Sequence, residues 1–306
     1  MSQHVHSEKT LLASPPRLGV SRRALLLAVA FVVSAAAVAV ADPASVSRGA
    51  YLAAAAGCDN CHTDGKNGGP LYAGGRALVT EFGIITTPNI TPDKATGIGG
   101  WSFADFKRAM RWGIAPDGTQ YVTAFPFPYF GRLTDANLAD LKAYLDTLAP
   151  LARPGLGRAD SLALIARARD AVGVTIASSS SPPPVPQDHM IARGAYLVRT
   201  VGYCGNCHTP RTWFGVPDPS RELAGSKDAI ASKRAPNITP DKTGIGNWSV
   251  DDIVTALETG GTPDFDVLGG SMAEIVRNTA RLTDDDRRAI AIYLKSLPPK
   301  RFDKNN

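Results

Sequence analysis

The chain has 306 residues, of which 44% are hydrophobic and 20% charged, close to the averages of globular proteins. This composition excludes a fibrous, wholly disordered or multi-spanning membrane protein, and the length allows one large domain or two ordinary ones. The net charge of +5 is spread along the chain without a run of five basic residues, so nucleic acid binding is not expected.

The N-terminal region has the pattern of an export signal. Arg22 and Arg23 precede an apolar run over 24–41 that ends in the small-residue sequence Ala-Val-Ala. We expect residues 1–41 to be a signal peptide cleaved after Ala41. The alternative is an N-terminal anchor that is retained, because about 18 apolar residues can just span a membrane. Either reading predicts a periplasmic protein, soluble or associated with the membrane through this segment.

The chain has four cysteines, in two pairs that are each followed directly by a histidine. The two motifs are Cys58, Cys61 and His62, and Cys204, Cys207 and His208. Disulfides, a four-cysteine zinc site and a thioredoxin-like dithiol are alternatives, but none of them needs the histidine. Two thiols on one helical turn can reach both vinyl groups of a porphyrin, and the next residue can ligate iron. The motifs therefore predict two covalently bound haem c groups.

Four blocks of sequence occur twice in the same order. They are RGAYL, the cysteine motif, a PNITPDK segment that runs to a tryptophan, and an RLTD helix. A repeat preserved in register indicates an internal duplication. We predict an all-α chain with domains at 42–149 and 190–306, joined by a linker at 150–189. The linker contains SSSSPPPVP and, before it, a helix-like stretch over 161–172.

Each copy is predicted to contain at least three helices. The first helices, at 48–56 and 193–201, lead into the cysteine motifs. A loop rich in glycine, proline and asparagine follows in both copies. The N-caps that we predict for the later helices are Ser102 and Thr134 in the first copy and Ser249 and Thr283 in the second. Apolar residues at helical spacing in the last helices predict one buried face.

These motifs resemble class I c-type cytochromes, and more closely the diheme or triheme cytochrome subunits of membrane-bound alcohol, gluconate or sorbitol dehydrogenases. The resemblance covers nearly everything after residue 42. It implies that a proline carbonyl accepts the Nδ1 proton of each axial histidine. Pro88 and Pro236, each followed by Asn-Ile, match that family segment. Fixing the imidazole in this way leaves Nε2 available to iron.

The resemblance also implies a methionine as the sixth iron ligand, in the loop before the last helix. Met272 stands there in the second copy, although a buried core methionine is the alternative reading. In the first copy Phe125 stands where related subunits have methionine. Met110 fits core packing better, and His189 and Met190 have only sequence proximity in their favour. We therefore expect the first haem to be five-coordinate or ligated by an unidentified residue.

The predicted function is electron transfer from a partner dehydrogenase through two haems to a quinone, an oxidase or a soluble cytochrome. The sequence has no further cofactor signature, such as a Rossmann glycine cluster, so we expect no intrinsic substrate oxidation. The alternative is a catalytic diheme enzyme, peroxidase-like, that uses an open first haem. The sequence around Phe125 shows no acid–base residue that would serve such a reaction. A haem-bearing sensor is a third reading, without any signalling domain to support it.

Overall fold

The computed structural model describes residues 42–80, 83–121, 124–153, 188–211, 217–227 and 234–302. The predicted signal or anchor at 1–41 lies outside the described residues. So does most of the predicted linker, including its helix-like stretch. Among the helices that are described, none is both long and apolar enough to cross a membrane.

The described part of the first half, within residues 42–153, contains five α-helices, a short 3₁₀ helix (Gly65–Asn67) and one hairpin. They are α1 (Pro43–Ala55), α2 (Cys58–Cys61), β1 (Ala77–Thr80), β2 (Gly83–Thr86), α3 (Phe103–Trp112), α4 (Phe127–Phe130) and α5 (Asp135–Asp146). The second half, residues 188–302, repeats the helical order. Its helices are α6 (His189–Tyr196), α7 (Gly205–His208), α8 (Val250–Thr259), α9 (Ser271–Thr279) and α10 (Asp284–Ser296). A π-helical stretch over Leu197–Val201 continues α6 toward the cysteine motif.

The hairpin corrects the expectation of an all-α fold. Strands β1 and β2 form an antiparallel pair in which Ala77 lies opposite Thr86. Their sequences, ALVT and GIIT, contain the β-branched residues that favour extended backbone. Val79 and Ile84 face each other in this register, and both are largely exposed. The described part of the chain is therefore mainly helical with one small sheet.

Helix starts follow the sequence prediction closely. Ser102 and Ser249 each complete a capping box with the aspartate three residues later, at the start of α3 and α8. The side chains of Thr134 and Thr283 cap α5 and α10 by accepting a hydrogen bond from the backbone N–H three residues later. Helix α1 begins earlier than the sequence pattern indicated, because Asp42 caps it and a proline occupies its first position.

The first and last helices of each half cross at a glycine. A Cβ added to Gly49 on α1 would lie 1.9 Å from the carbonyl oxygen of Asp140 on α5. A Cβ added to Gly194 on α6 would lie 2.0 Å from the carbonyl oxygen of Ala289 on α10. Any side chain would force the helices apart, so both halves depend on glycine for the same close crossing.

A single hydrophobic cluster extends through both halves. It contains Leu52 and Leu138 from the first half and Val198 and Leu294 from the second. Met110 is also a member, with 7% of its surface exposed, which confirms its predicted role in the core. The described residues of the two halves therefore pack around one continuous core.

Two tyrosines link the halves through equivalent hydrogen bonds. The hydroxyl of Tyr51 on α1 donates to Asp286 on α10 at 2.5 Å. The hydroxyl of Tyr196 on α6 donates to Asn137 on α5 at 2.6 Å. Each tyrosine therefore reaches from the first helix of its own half to the last helix of the other half.

Candidate haem sites

The first cysteine motif forms a short helix that turns sharply at its start. Gly57 has a left-handed backbone, with φ at 64°, directly before Cys58. The backbone N–H of His62 donates to the carbonyl of Cys58 at 2.9 Å, which closes one helical turn around the motif. The Nδ1 atom of His62 lies 2.8 Å from the carbonyl oxygen of Pro88.

The second motif reproduces this geometry with one change. Tyr203 replaces the glycine before Cys204 and keeps a positive φ of 38°. The N–H of His208 donates to the carbonyl of Cys204 at 2.9 Å. Its Nδ1 lies 2.8 Å from the carbonyl oxygen of Pro236. Both histidine–proline contacts expected from the family resemblance are therefore present.

These contacts define the chemical state of the two imidazoles. A carbonyl oxygen can only accept a hydrogen bond, so Nδ1 of each ring carries the proton and donates it. Burial lowers the pKa of His62 and His208, although the bonds to Pro88 and Pro236 oppose that shift. Both rings are accordingly neutral at ordinary pH, and the Nε2 lone pair of each is available to a metal ion.

The four cysteines are half-buried, and none of them forms a disulfide. Burial raises the pKa of Cys58 and of Cys204 to about 12. Burial also raises the pKa of Cys61 and of Cys207. A reactive dithiol of the thioredoxin type needs the opposite shift, toward the thiolate. The motifs therefore lack the lowered thiol pKa that a reactive dithiol requires.

Two buried asparagines hold the proline segments in place. Asn89 accepts from the N–H and the hydroxyl of Thr91, at 2.9 and 2.8 Å. Its amide donates to Thr96 and to the carbonyl of Leu151 at 2.7 Å. The amide oxygen and amide nitrogen of this side chain are thus both satisfied. It fixes the backbone directly after Pro88.

Asn237 makes the same bonds in the second half. It accepts from the N–H and the hydroxyl of Thr239, at 2.9 and 2.8 Å. Its amide donates to Thr243 and, at 2.6 Å, to the carbonyl of Lys300. The sequence pattern pointed only to the proline. The repeated PNIT block was the signal that could have revealed the asparagine as well.

Met272 does not lie in a loop as expected. It is the second residue of α9, a nine-residue helix that begins after Gly270, whose φ is 60°. Its side chain is half-buried, and among the described residues it is not a member of the hydrophobic cluster. The core-packing alternative therefore receives no support at Met272, in contrast to Met110.

The corresponding region of the first half is a group of aromatic rings. The ring of Phe125 lies 5.8 Å from that of Tyr121 and 5.7 Å from that of Phe130. These centroid distances are typical of favourable aromatic contacts. The alternative ligand His189 is exposed at the N-terminus of α6, and Met190 beside it is half-buried.

Tyr203 joins this aromatic group to the second motif. Its ring lies 5.4 Å from Phe130 in an edge-to-face arrangement and 6.4 Å from Tyr129. Burial raises the pKa of Tyr203 well above its ordinary value, and the cysteines of both motifs add to the shift. A single phenol therefore lies near both pairs of cysteines, an arrangement that the sequence did not indicate.

A second contact between the halves involves the helix that carries Met272. Glu274 on α9 forms an ion pair with Arg76 at 3.0 Å. The same guanidinium donates to the backbone carbonyl of Asn60, inside the first motif. Arg281, just after α9, pairs with Asp59 at 3.1 Å. Helix α9 is thus held against the first motif by charges that come from distant parts of the chain.

Comparisons with known proteins agree with this geometry. Residues 46–149 match the family model for cytochrome c. The chain is 41% identical over 258 residues to a diheme c-type cytochrome of Cereibacter sphaeroides, and the match covers 82% of this chain and 86% of that protein. This chain belongs to the cytochrome c family. Like that relative, this cytochrome carries two covalently bound haem c groups.

Longer relatives are similar to this cytochrome over part of their length. It is 40% identical over 264 residues to the fructose dehydrogenase cytochrome subunit of Gluconobacter japonicus, covering 84% of this chain and 53% of that protein. It is 36% identical over 272 residues to the gluconate 2-dehydrogenase cytochrome c subunit of Pantoea cypripedii, covering 85% of this chain and 61% of that protein. The cytochrome thus spans little more than half of these two subunits.

The donor groups in both motifs fit haem c. Each motif offers two free cysteine thiols and one imidazole whose Nδ1 is hydrogen-bonded to a proline carbonyl. A ligand histidine with its second ring nitrogen hydrogen-bonded is the usual arrangement at protein-bound iron. Among the described residues, no cluster of three or more histidine, cysteine or acidic side chains could hold a metal ion by itself.

Proposed function

We propose that this cytochrome transfers electrons between a partner dehydrogenase and a separate acceptor, using two haems with different axial ligands. Class I cytochrome c domains would occupy 42–149 and 190–306, joined by a linker at 150–189. The haem-binding residues of this proposal are Cys58, Cys61 and His62 for the first haem and Cys204, Cys207, His208 and Met272 for the second.

The observation that carries the proposal is the pair of histidine–proline contacts. Two half-buried imidazoles, each with Nδ1 held 2.8 Å from a proline carbonyl, occur in one chain. The proline carbonyls are fixed in turn by the hydrogen bonds of Asn89 and Asn237. This repetition supports two sites of one kind rather than one site and a decayed copy.

When bound, haem c supplies a centre that takes up and releases one electron reversibly. The protein contributes a fixed orientation of His62 and His208, because the proline carbonyls hold both rings in one tautomer. Both imidazoles are half-buried. Met272 would offer its thioether to the iron of the second haem, and such a ligand raises the reduction potential. Phe125 has no lone pair to offer, so the two haems would differ in potential.

The partner is inferred from the names of the relatives. They include cytochrome subunits of fructose, gluconate and alcohol dehydrogenases, which supports a dehydrogenase as the electron donor. A quinone, an oxidase or a soluble cytochrome would receive the electrons. The expected export signal agrees with a periplasmic location.

The test is a redox and spectroscopic study of the purified holoprotein. We expect two haems per chain, complete reduction by ascorbate, and reoxidation by ferricyanide. Electron paramagnetic resonance of the oxidised protein should show two distinct ferric species, one of them with histidine and methionine ligands. The Cys58→Ser/Cys61→Ser variant should keep the species with histidine and methionine ligands and lose the second species, which belongs to the first haem.

Three results would contradict the proposal. Two identical His/Met signals would remove the difference between the haems. One haem per chain would exclude the two-site arrangement. Rapid turnover of hydrogen peroxide by the wild-type protein would favour the peroxidase-like alternative, in which the first haem binds substrate at an open face.

A further inference from the structure

Equivalent turns connect α3 to α4 and α8 to α9. In the first half, residues 114 and 120 pair across the turn, and in the second half residues 261 and 267 do the same. The hydrogen bond from Ala115 to Thr119 in the first turn matches that from Thr262 to Asp266 in the second. By this correspondence Phe265 occupies the position of Gly118.

Both tip residues have a left-handed backbone. The φ angle is 86° at Gly118 and 59° at Phe265. Glycine adopts this conformation freely, whereas the Cβ of any other L-residue makes it sterically unfavourable. Burial of the Phe265 side chain does not offset this loss of stability, because the side chain is 100% exposed. Phenylalanine at this tip therefore costs folding stability without a compensating contact in the described chain.

Charge distinguishes the two regions as well. Between residues 249 and 276 the sequence has six acidic residues and no lysine, arginine or histidine. The six are Asp251, Asp252, Glu258, Asp264, Asp266 and Glu274. The equivalent stretch of the first half, 102–127, has two acidic and three basic residues. The chain as a whole carries +5, so the acidic stretch is a local feature.

The acidic charge at the tip is not neutralised by neighbours. Asp251, Glu258 and Glu274 form ion pairs with arginines. Asp264 and Asp266, which flank the phenylalanine, form none within the part of the chain that the structure describes. An exposed aromatic ring between two carboxylates is therefore presented at the turn.

We propose that Phe265 is a docking residue that inserts into an apolar patch rimmed by lysine or arginine on a redox partner protein. This inference rests on the proposed electron-transfer function. The turn lies seven residues before Met272, and Val267 at its base is also 70% exposed. A partner bound here would contact the segment that leads into the second haem site.

The surface charge favours a protein over a membrane. Two carboxylates beside the ring would repel anionic lipids, whereas they complement a basic protein surface. Aromatic side chains that fill a pocket surrounded by charged contacts are typical centres of binding energy. A residue that lowers folding stability can still be favourable when it contributes to the affinity for a partner.

The test uses the holoprotein and a basic mitochondrial cytochrome c as the acceptor. The variant Phe265→Gly restores the residue type found at Gly118, so it should fold at least as stably as wild type. We expect its second-order rate constant for reduction of the acceptor to fall about tenfold at low ionic strength. Asp264→Asn/Asp266→Asn should flatten the dependence of that rate on salt. Val79→Thr, at another largely exposed apolar site, is the control and should leave the rate unchanged.

Reduction by ascorbate and reoxidation by ferricyanide need no docking and should be unaffected by Phe265→Gly. If the wild-type protein fails this exchange, the proposed function itself is wrong. If it passes and Phe265→Gly reduces the basic cytochrome within twofold of wild type, the docking inference alone is overturned. Phe265-dependent binding to phosphatidylcholine vesicles, or a Phe265-dependent dimer in analytical ultracentrifugation, would also overturn it.

Discussion

The stretches 102–127 and 249–276 follow equivalent tryptophans and begin with equivalent helices, yet their chemistry differs. The first ends in an aromatic group around Phe125 and carries more basic than acidic residues. The second carries Met272, an exposed Phe265 and only acidic charge. By contrast, the histidine–proline contacts of the two halves agree to 0.1 Å, both being 2.8 Å. The part of each half that holds the proposed haem is preserved, and the part that would set its ligand and its surface has diverged.

Exchanging the residues at the two proposed ligand positions should have the largest effect. Met272→Phe removes the thioether from the second site, so we expect the loss of the His/Met species and a fall in that haem's reduction potential. Phe125→Met offers a thioether to the first site and should raise its potential. Redox titration followed by absorbance, together with paramagnetic resonance, measures both changes.

Met110→Leu is the control for this exchange, because Met110 is a buried methionine of the core. A swap of similar volume should cost less than about 1.5 kcal/mol and leave the spectra unchanged. An oxidised spectrum of Met272→Phe identical to that of wild type would show that the two stretches do not differ in ligation.

The helix crossings should be equally sensitive in both halves. Gly49→Ala and Gly194→Ala place a Cβ about 2 Å from a carbonyl oxygen, so each should lower the free energy of unfolding by about 1–3 kcal/mol or more. Guanidinium denaturation measures the loss. Gly65→Ala is the control, since nothing lies within 4 Å of a Cβ added there. A loss at one crossing only would mean that the halves do not share this contact.

The asparagine networks offer a similar comparison. Asn89→Ala and Asn237→Ala each remove the acceptor of a buried threonine N–H, that of Thr91 or of Thr239, so we expect a loss of about 2 kcal/mol in either case. Thermal unfolding of the holoprotein measures it. The exposed Asn67, replaced by alanine, should have little effect. Unequal losses at the two buried asparagines would show that one proline segment is held by other contacts.

The tyrosine contacts between the halves predict a small dependence on pH. Burial raises the pKa of Asp286, but hydrogen bonds from Arg193 and Tyr51 outweigh it, and the net pKa is lowered. Its ionised form therefore stabilises the fold above the unfolded pKa of about 3.9, and this stability is lost as pH falls through the lower folded value. Asn137 occupies the equivalent position in the first half, and because its side chain does not ionise, its contact with Tyr196 should not depend on pH in this range.

We expect Asp286→Asn to remove about 1 kcal/mol near neutral pH and to have less effect in acid. Melting temperatures from about pH 7 down to about pH 3 measure this. The exposed Asp251, replaced by asparagine, is the control. A greater destabilisation in acid than at neutral pH would contradict the assignment.

Much of each site could be predicted from sequence because the relevant signals are local. Cysteine spacing, helix caps and the proline segments are set by residues within a few positions of one another. The ion pair between Arg76 and Glu274 joins residues 198 positions apart, and no local pattern indicates it. The hairpin is a different case, because its β-branched residues were a local signal that the all-α expectation missed. Phe265 could have been identified from the sequence, because alignment of the two turns places it opposite Gly118.

The hydrophobic cluster shared by both halves has a consequence for how the protein unfolds. Leu52 and Val198 belong to the same apolar group, so separating the halves would expose that surface to water. Heating should therefore produce one cooperative transition rather than two. A protease that cuts the backbone between 154 and 187 should leave two fragments that co-elute on gel filtration. Each half then acts as the scaffold on which the other stays folded.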